Sequence, residues 1–190
     1  PAGLPLSFEA AAGIWMTNAH PTSQASDSSA RGSGAADGQA VFEQISRINH
    51  ACHPNTCLSW DGAAGRKICC AARDIERGEE LTLAYWEDEC SEGALRSERQ
   101  QRMLERYGFE CRCATCELTG ARLAESDARQ RQICETVKRI RSSGTAHAAL
   151  AQDVQLLETL LQAERMPAAY AKGALLYASE RARQAGELAT

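Results

Sequence analysis

Cys111-Arg112-Cys113-Ala114-Thr115-Cys116 places three thiols within six residues, and this run constrains the chain more than any other feature. A turn that tight can aim all three sulfurs at one point, as a tetrahedral zinc ion requires of its thiolate or imidazole ligands. Three ligands do not close a structural site, so a fourth must come from elsewhere. The candidates are Cys52, Cys57, Cys90 and Cys134, or a histidine. Nine cysteines in 190 residues, odd in number and unevenly spread, do not read as a secreted disulfide framework. One metal site among free thiols in a reducing compartment fits them. Cys69 and Cys70 fall in a predicted strand, where they are expected to be buried apolar filler.

Upstream of this run the chain changes character several times. Phe8 to Met16 is a short apolar stretch whose structure the pattern leaves open. Residues 21–38, rich in Ser, Ala, Gly and Asp, cannot bury enough surface to offset backbone ordering, and read as a flexible insertion. Cys57 to Trp60 and Ile68 to Ala72 read as short strands around the turn signal Asp61-Gly62 and Gly65. Leu81, Leu83 and Tyr85 alternate with Thr82 and Ala84, as in a half-buried strand.

Beyond Ser97 the pattern is helical. Ser97 with Gln100 resembles a capping box leading into a helix that Gly108 stops. Residues 121–141, 146–165 and 168–186 read as three further helices, punctuated by Gly144 and Pro167. Leu150, Val154, Leu157 and Leu161 form an apolar stripe whose expected role is core packing. A formal net charge of -4 argues against a free-standing nucleic-acid binder. No apolar run is long enough to predict a membrane span, and no secretory signal pattern is visible.

Arg47 to Asn55 is dense in hydrogen-bonding side chains and ends in a Pro-Asn turn. His50 and His53 have a spacing that could serve a metal on a helix, but Pro54 disfavours helix there. Asn49-His50-Ala51-Cys52-His53-Pro54-Asn55 closely resembles the NHSCxPN motif of SET-domain methyltransferases, with Ala51 in place of serine. Glu80-Leu81-Thr82-Leu83-Ala84-Tyr85 resembles that family's ELTxxY motif, and Gly108 to Cys116 resembles its post-SET GFxCxCxxC tail. The layout is most similar to the SET-and-MYND type and to fungal SET proteins.

The resemblance implies an α+β fold: the C-terminal half of a β-rich SET fold with a zinc-binding post-SET tail, followed by an α-helical C-terminal region. On that reading residues 1–90 are a partial SET domain containing the 21–38 insertion. Residues 91–117 are a linking helix and post-SET zinc segment, and 118–190 the helical region. The chain opens on Pro1, and no GxG-bearing segment precedes Asn18, as expected of a piece of a longer protein.

The resemblance further implies S-adenosyl-L-methionine as cofactor and a structural Zn²⁺. Asn18, Ser46, Ile48, Asn49, His50, Tyr107 and Phe109 would bind the cofactor, and Tyr85 would be the catalytic tyrosine. Cys52 would join Cys111, Cys113 and Cys116 on the metal. The implied reaction is methyl transfer to lysine of a histone or another protein, in the nucleus or cytoplasm. No direct nucleic-acid binding and no membrane partner are expected. A catalytically inactive, zinc-stabilised interaction module is the alternative.

Overall fold

The computed structural model describes residues 7–22, 38–85, 95–142 and 147–166, with 175, 177–179 and 183. Helices and strands are mixed, as an α+β fold requires, and the chain divides into two compact units. The first comprises Pro1–Asn49 and Leu58–Cys70, the second His50–Cys57 and Ala71–Thr190. No helix among the described residues is long and apolar enough to cross a membrane.

The first unit opens with helix α1, Phe8–Asn18, which resolves the stretch that the sequence left open. Ser7 caps it, its Oγ accepting the Ala10 N–H at 3.2 Å, and Glu9 lies favourably in the first turn. The helix buries none of its residues, so its apolar content is not core. Strands β1 (Ala19–Pro21) and β2 (Gln39–Val41) pair antiparallel with His20 opposite Ala40. The Thr22 N–H bonds Gly38 O at 2.8 Å, so ordered pairing takes in Pro21 and Thr22 at one end of the expected 21–38 insertion and Gly38 at the other. Residues 23–37 of that insertion lie outside the described residues.

A 3-10 turn over Ile45–Arg47 leads to the two-residue strand β3, Asn49–His50. Strands β4 (Thr56–Asp61) and β5 (Arg66–Ala71) then form the expected hairpin. Its turn is built from Asp61, whose Oδ1 accepts the Ala64 N–H at 3.0 Å, and from Gly65 at φ 60°. That dihedral suits a residue without a Cβ. Within the first unit, the Phe42 and Trp60 rings stand 6.3 Å apart, and Lys67 Nζ donates to Pro21 O at 2.9 Å. Cys69 and Cys70 are exposed, against the expectation of buried filler. The hairpin is a two-stranded ribbon among the described residues, and most of β5 is exposed.

In the second unit, Asn55 is the hub of the loop before β4. It is almost fully buried, and its Nδ2 donates to Glu79 Oε1 at 2.9 Å and to Glu80 O at 2.8 Å. Its Oδ1 accepts the Thr82 N–H at 2.8 Å. The amide thereby ties two segments some 25 residues apart. Strand β6 is only Thr82–Leu83, shorter than the expected run through Tyr85. Its partner β3 offers just two residues, so the ladder stops; Leu83 is buried while Leu81 is 48% exposed.

Helix α2, Arg96–Tyr107, starts earlier than the Ser97 cap predicted. Leu95 occupies the cap position, and Glu98 Oε2 accepts its N–H at 2.9 Å. Only the carboxylate half of a capping box is therefore physically available, because leucine has no side-chain acceptor. Gly108 ends the helix as expected, at φ 75°, its N–H bonding Leu104 O at 3.0 Å.

Helices α3 (Gly120–Arg141) and α4 (His147–Ala163) share a core of Ile133, Val137, Ile140, Leu150, Leu157 and Leu161. Three members of the expected stripe are buried there and Val154 packs beside them. Each fully buried leucine contributes about 1.5–3 kcal/mol. A polar knot adjoins this core: Glu164 accepts from Ser126 Oγ at 2.8 Å and from the Arg129 Nε, and His53 Nε2 lies 2.7 Å from Gln130 Nε2. Burial drives the His53 pKa down to about 4, against the pull of Glu164 and with help from Arg99. Most of the third predicted helix, 168–186, lies outside the described residues; 175, 177–179 and 183 are helical.

Candidate functional site

The tail after α2 returns its three cysteines to the loop that follows β3. Met103 on α2 is fully buried and packs with Cys52, Cys111 and Cys116. The helix also holds the tail backbone, with Gln100 Nε2 donating to Cys111 O at 3.0 Å and Arg96 Nη1 to Leu118 O at 3.1 Å. The sulfurs of Cys52, Cys111, Cys113 and Cys116 all lie within 4.8 Å of one another. Cys52 Sγ is 3.4 Å from Cys116 Sγ and 3.9 Å from Cys111 Sγ. A disulfide needs about 2.05 Å, so these are not bonded pairs. Zn–S bonds of about 2.3 Å in a tetrahedron put sulfurs about 3.8 Å apart, and the observed spacing fits that geometry.

The electrostatics favour a cation at their centre. Hydrogen bonds from Cys113, Cys116 and Cys52 hold the Cys111 thiol far below its usual range. Cys52 is pushed far up by its hydrogen bonds to Cys111, Cys113 and Cys116 and by burial. Four sulfurs in this volume cannot all ionise unless positive charge joins them. The donor set and its spacing both suit zinc. Of the other fourth-ligand candidates, Cys134 is buried in the α3–α4 core, Cys57 lies on β4, and Cys90 is outside the described residues.

An aromatic cluster stands against the sulfurs. His50 Nε2 is 3.6 Å from Cys52 Sγ, and its Nδ1 accepts the Tyr85 backbone N–H at 3.2 Å. The Tyr85 ring centroid is 5.3 Å from that of His50, 5.0 Å from Tyr107 and 6.4 Å from Phe109. Tyr107 Oη donates to Tyr85 O at 2.8 Å, so both backbone polar groups of Tyr85 are held by named side chains. Burial, with Tyr107 and Glu80 nearby, raises the Tyr85 phenol pKa. Phe109 is 37% exposed at the edge of the cluster.

Residues 13–86 match the family model of the SET domain. This segment is similar to a SET domain. Similar proteins include the protein-lysine N-methyltransferase SMYD4 of Mus musculus, 34% identical over 98 residues, which cover 52% of this chain and 12% of that protein. The histone-lysine N-methyltransferase set5 of Schizosaccharomyces pombe is 36% identical over 94 residues, covering 49% of this chain and 28% of that protein. The histone-lysine N-methyltransferase SMYD3 of Homo sapiens is 29% identical over 135 residues, covering 68% and 30%. The chain thus spans between 12% and 30% of the length of these three relatives.

Within and just beyond the SET segment, the residues singled out by sequence fall in two groups. His50, Cys52, Tyr85, Tyr107, Phe109 and the cysteine trio come together in the second unit. Asn18, Ser46, Ile48 and Asn49 belong to the first. There, Asn18 Nδ2 donates to Ile14 O at 3.0 Å, finishing its own helix, and Ser46 Oγ donates to Glu43 O at 3.1 Å. Asn49 is exposed and Ile48 half-buried. Two further residues matter that sequence reasoning gave no role. Asn55 stood inside a quoted motif, so its signal was present; Arg99 had none, since an arginine on a charged helix reads as solvated.

Proposed function

We propose that the SET segment and its cysteine tail serve S-adenosyl-L-methionine-dependent methyl transfer to a lysine side chain of a protein. The observation that carries this reading is the double hold on the Tyr85 backbone, by His50 Nδ1 and Tyr107 Oη, beside the four sulfurs. Methyl transfer is an in-line displacement, so positioning and electrostatics supply most of the catalysis. A tyrosine fixed at both backbone groups and packed by the His50, Tyr107 and Phe109 rings has its own ring held in place. Its raised pKa keeps the phenol protonated at neutral pH, making Tyr85 a hydrogen-bonding group toward the amine and not a base.

The acceptor lysine, with an ordinary pKa near ~10.4, must lose its proton before attack. Desolvation of the amine beside the cofactor's cationic sulfonium would favour that loss. Phe109, with part of its ring exposed, would stack on the cofactor's adenine. Asn18, Ser46, Ile48, Asn49, His50 and Tyr107 would complete cofactor binding. The sulfurs of Cys52, Cys111, Cys113 and Cys116 would hold a structural zinc that joins the loop after β3 to the tail, with no part in the reaction.

The test is transfer of labelled methyl groups from S-adenosyl-L-methionine to lysine-containing proteins, histones among them, alongside calorimetric titration of the cofactor. Cofactor binding with lysine methylation is the expected result. Absence of both from the natural full-length product would overturn the reading in favour of a zinc-stabilised interaction module.

A further inference from the structure

Arg99 is 3% exposed, although guanidinium groups are among the costliest side chains to bury. It lies one helical turn before Met103 on α2, and Met103 shares a buried cluster with Cys52, Cys111 and Cys116. Both residues therefore enter the same interior from one helix face. A buried cation requires buried anions around it. One is Asp127 on α3, whose Oδ1 is 3.9 Å from Arg99 Nη1. That same oxygen also accepts the Arg96 backbone N–H at 2.9 Å, so it is shared. The neighbouring Arg96 guanidinium is occupied with the Cys116 and Leu118 carbonyls and fixes backbone instead.

We propose that Arg99 is the built-in counter-cation of the four-cysteine site, offsetting the negative charge that the thiolates carry once a divalent metal is bound. The inference rests on the zinc reading above. A zinc ion with four thiolates keeps two net negative charges, and in a buried setting these need compensation. Arg99 hydrogen-bonds Cys52, and Cys116 and the Asp127 carboxylate stand close enough to act on its charge. Groups just outside a metal's ligands typically change its affinity about 10–100-fold. Arg99 acts through the sulfurs and is a positioning residue, not a ligand.

The experiment measures zinc affinity of the full chain by competition with a chromophoric chelator, and the thiolate-to-cobalt absorption band after Co²⁺ substitution. Arg99→Met keeps the volume and removes the charge; Arg99→Lys keeps the charge. The expected result is zinc affinity about 10–100-fold weaker in Arg99→Met, with a diminished cobalt band, and recovery of most of both in Arg99→Lys. Wild-type-like affinity in Arg99→Met, or equal loss in both variants, would overturn the proposal alone. A wild-type chain that binds neither zinc nor cobalt would overturn the metal reading and this proposal with it. If Arg99→Met does not fold, Arg99→Gln against Arg99→Lys makes the same comparison.

Discussion

His50 Nδ1 accepts the backbone N–H of Tyr85 at 3.2 Å. A ring nitrogen that accepts carries no proton, so this bond assigns the proton to Nε2, which points at Cys52 Sγ 3.6 Å away. One imidazole thereby connects the sulfur cluster to the tyrosine of the proposed reaction. The connection is short in space but spans 35 residues of chain.

His50→Ala removes both bonds and leaves the half-buried Tyr85 N–H without its ring acceptor. The expected cost is about 2 kcal/mol of stability, read as a lower urea midpoint at unchanged slope. Methyl transfer should fall with it, because the Tyr85 backbone loses one of its two holds. A variant with wild-type stability would show that the His50–Tyr85 bond contributes nothing.

Cys52→Ser should release zinc, measured as metal per chain by atomic spectroscopy, and lower cofactor affinity in the same protein. A chelator applied to the wild type should likewise depress the melting temperature, since a structural zinc contributes to folding directly. Full zinc content in Cys52→Ser would exclude Cys52 as a ligand.

Tyr85→Phe keeps the ring and both backbone bonds while removing the hydroxyl. Stability and zinc content should stay close to wild type. Methyl transfer should drop about a hundredfold or more, the scale of losing one well-placed hydrogen-bonding group in a transition state. Retained activity would remove the Tyr85 hydroxyl from the mechanism.

Asn55→Leu should be among the more damaging single changes in the second unit. It strands the Thr82 N–H and the Glu80 carbonyl, which the Asn55 amide satisfies at 2.8 Å each. The expected loss is about 3 kcal/mol, measured by denaturant unfolding. A loss below about 0.5 kcal/mol, ordinary for an exposed site, would show that the amide is not a hub.

Glu79 gives a pH-dependent test. Its hydrogen bonds with Arg73, Asn55 and the Glu76 N–H hold its pKa down to about 2, from an ordinary 4.5. The folded-state pKa is depressed, so its stabilisation is fully present above 4.5 and is lost as pH falls toward about 2. Comparing the wild type with Glu79→Gln cancels the other carboxylates. The stability difference between them should change across that window and level off on either side. A difference independent of pH would exclude linkage through Glu79.

Local rules were legible in the chain itself. Gly108 ends α2 because a positive φ suits a residue without a Cβ, and Leu150, Leu157 and Leu161 share a buried face because helical periodicity aligns them. The cysteine trio pointed to a candidate metal site through spacing alone, and the fold gathers four sulfurs there. Ser97 misled, because Glu98 could bond the Leu95 N–H two residues ahead of the expected frame. Cys69 and Cys70 misled as well, since a strand pattern does not reveal whether anything covers the strand.

Which sulfur stands with the trio was different in kind. Spacing left Cys52, Cys57, Cys90, Cys134 and the histidines open, and only resemblance favoured Cys52. The fold brings its sulfur within 3.9 Å of Cys111 across 59 residues, and buries Arg99 on α2. Sequence determined what lies within a helical turn or a tight loop, because dihedral preferences and neighbouring side chains act at that range. Tertiary structure alone decided which distant groups share a dry interior, because that depends on the path of the whole chain.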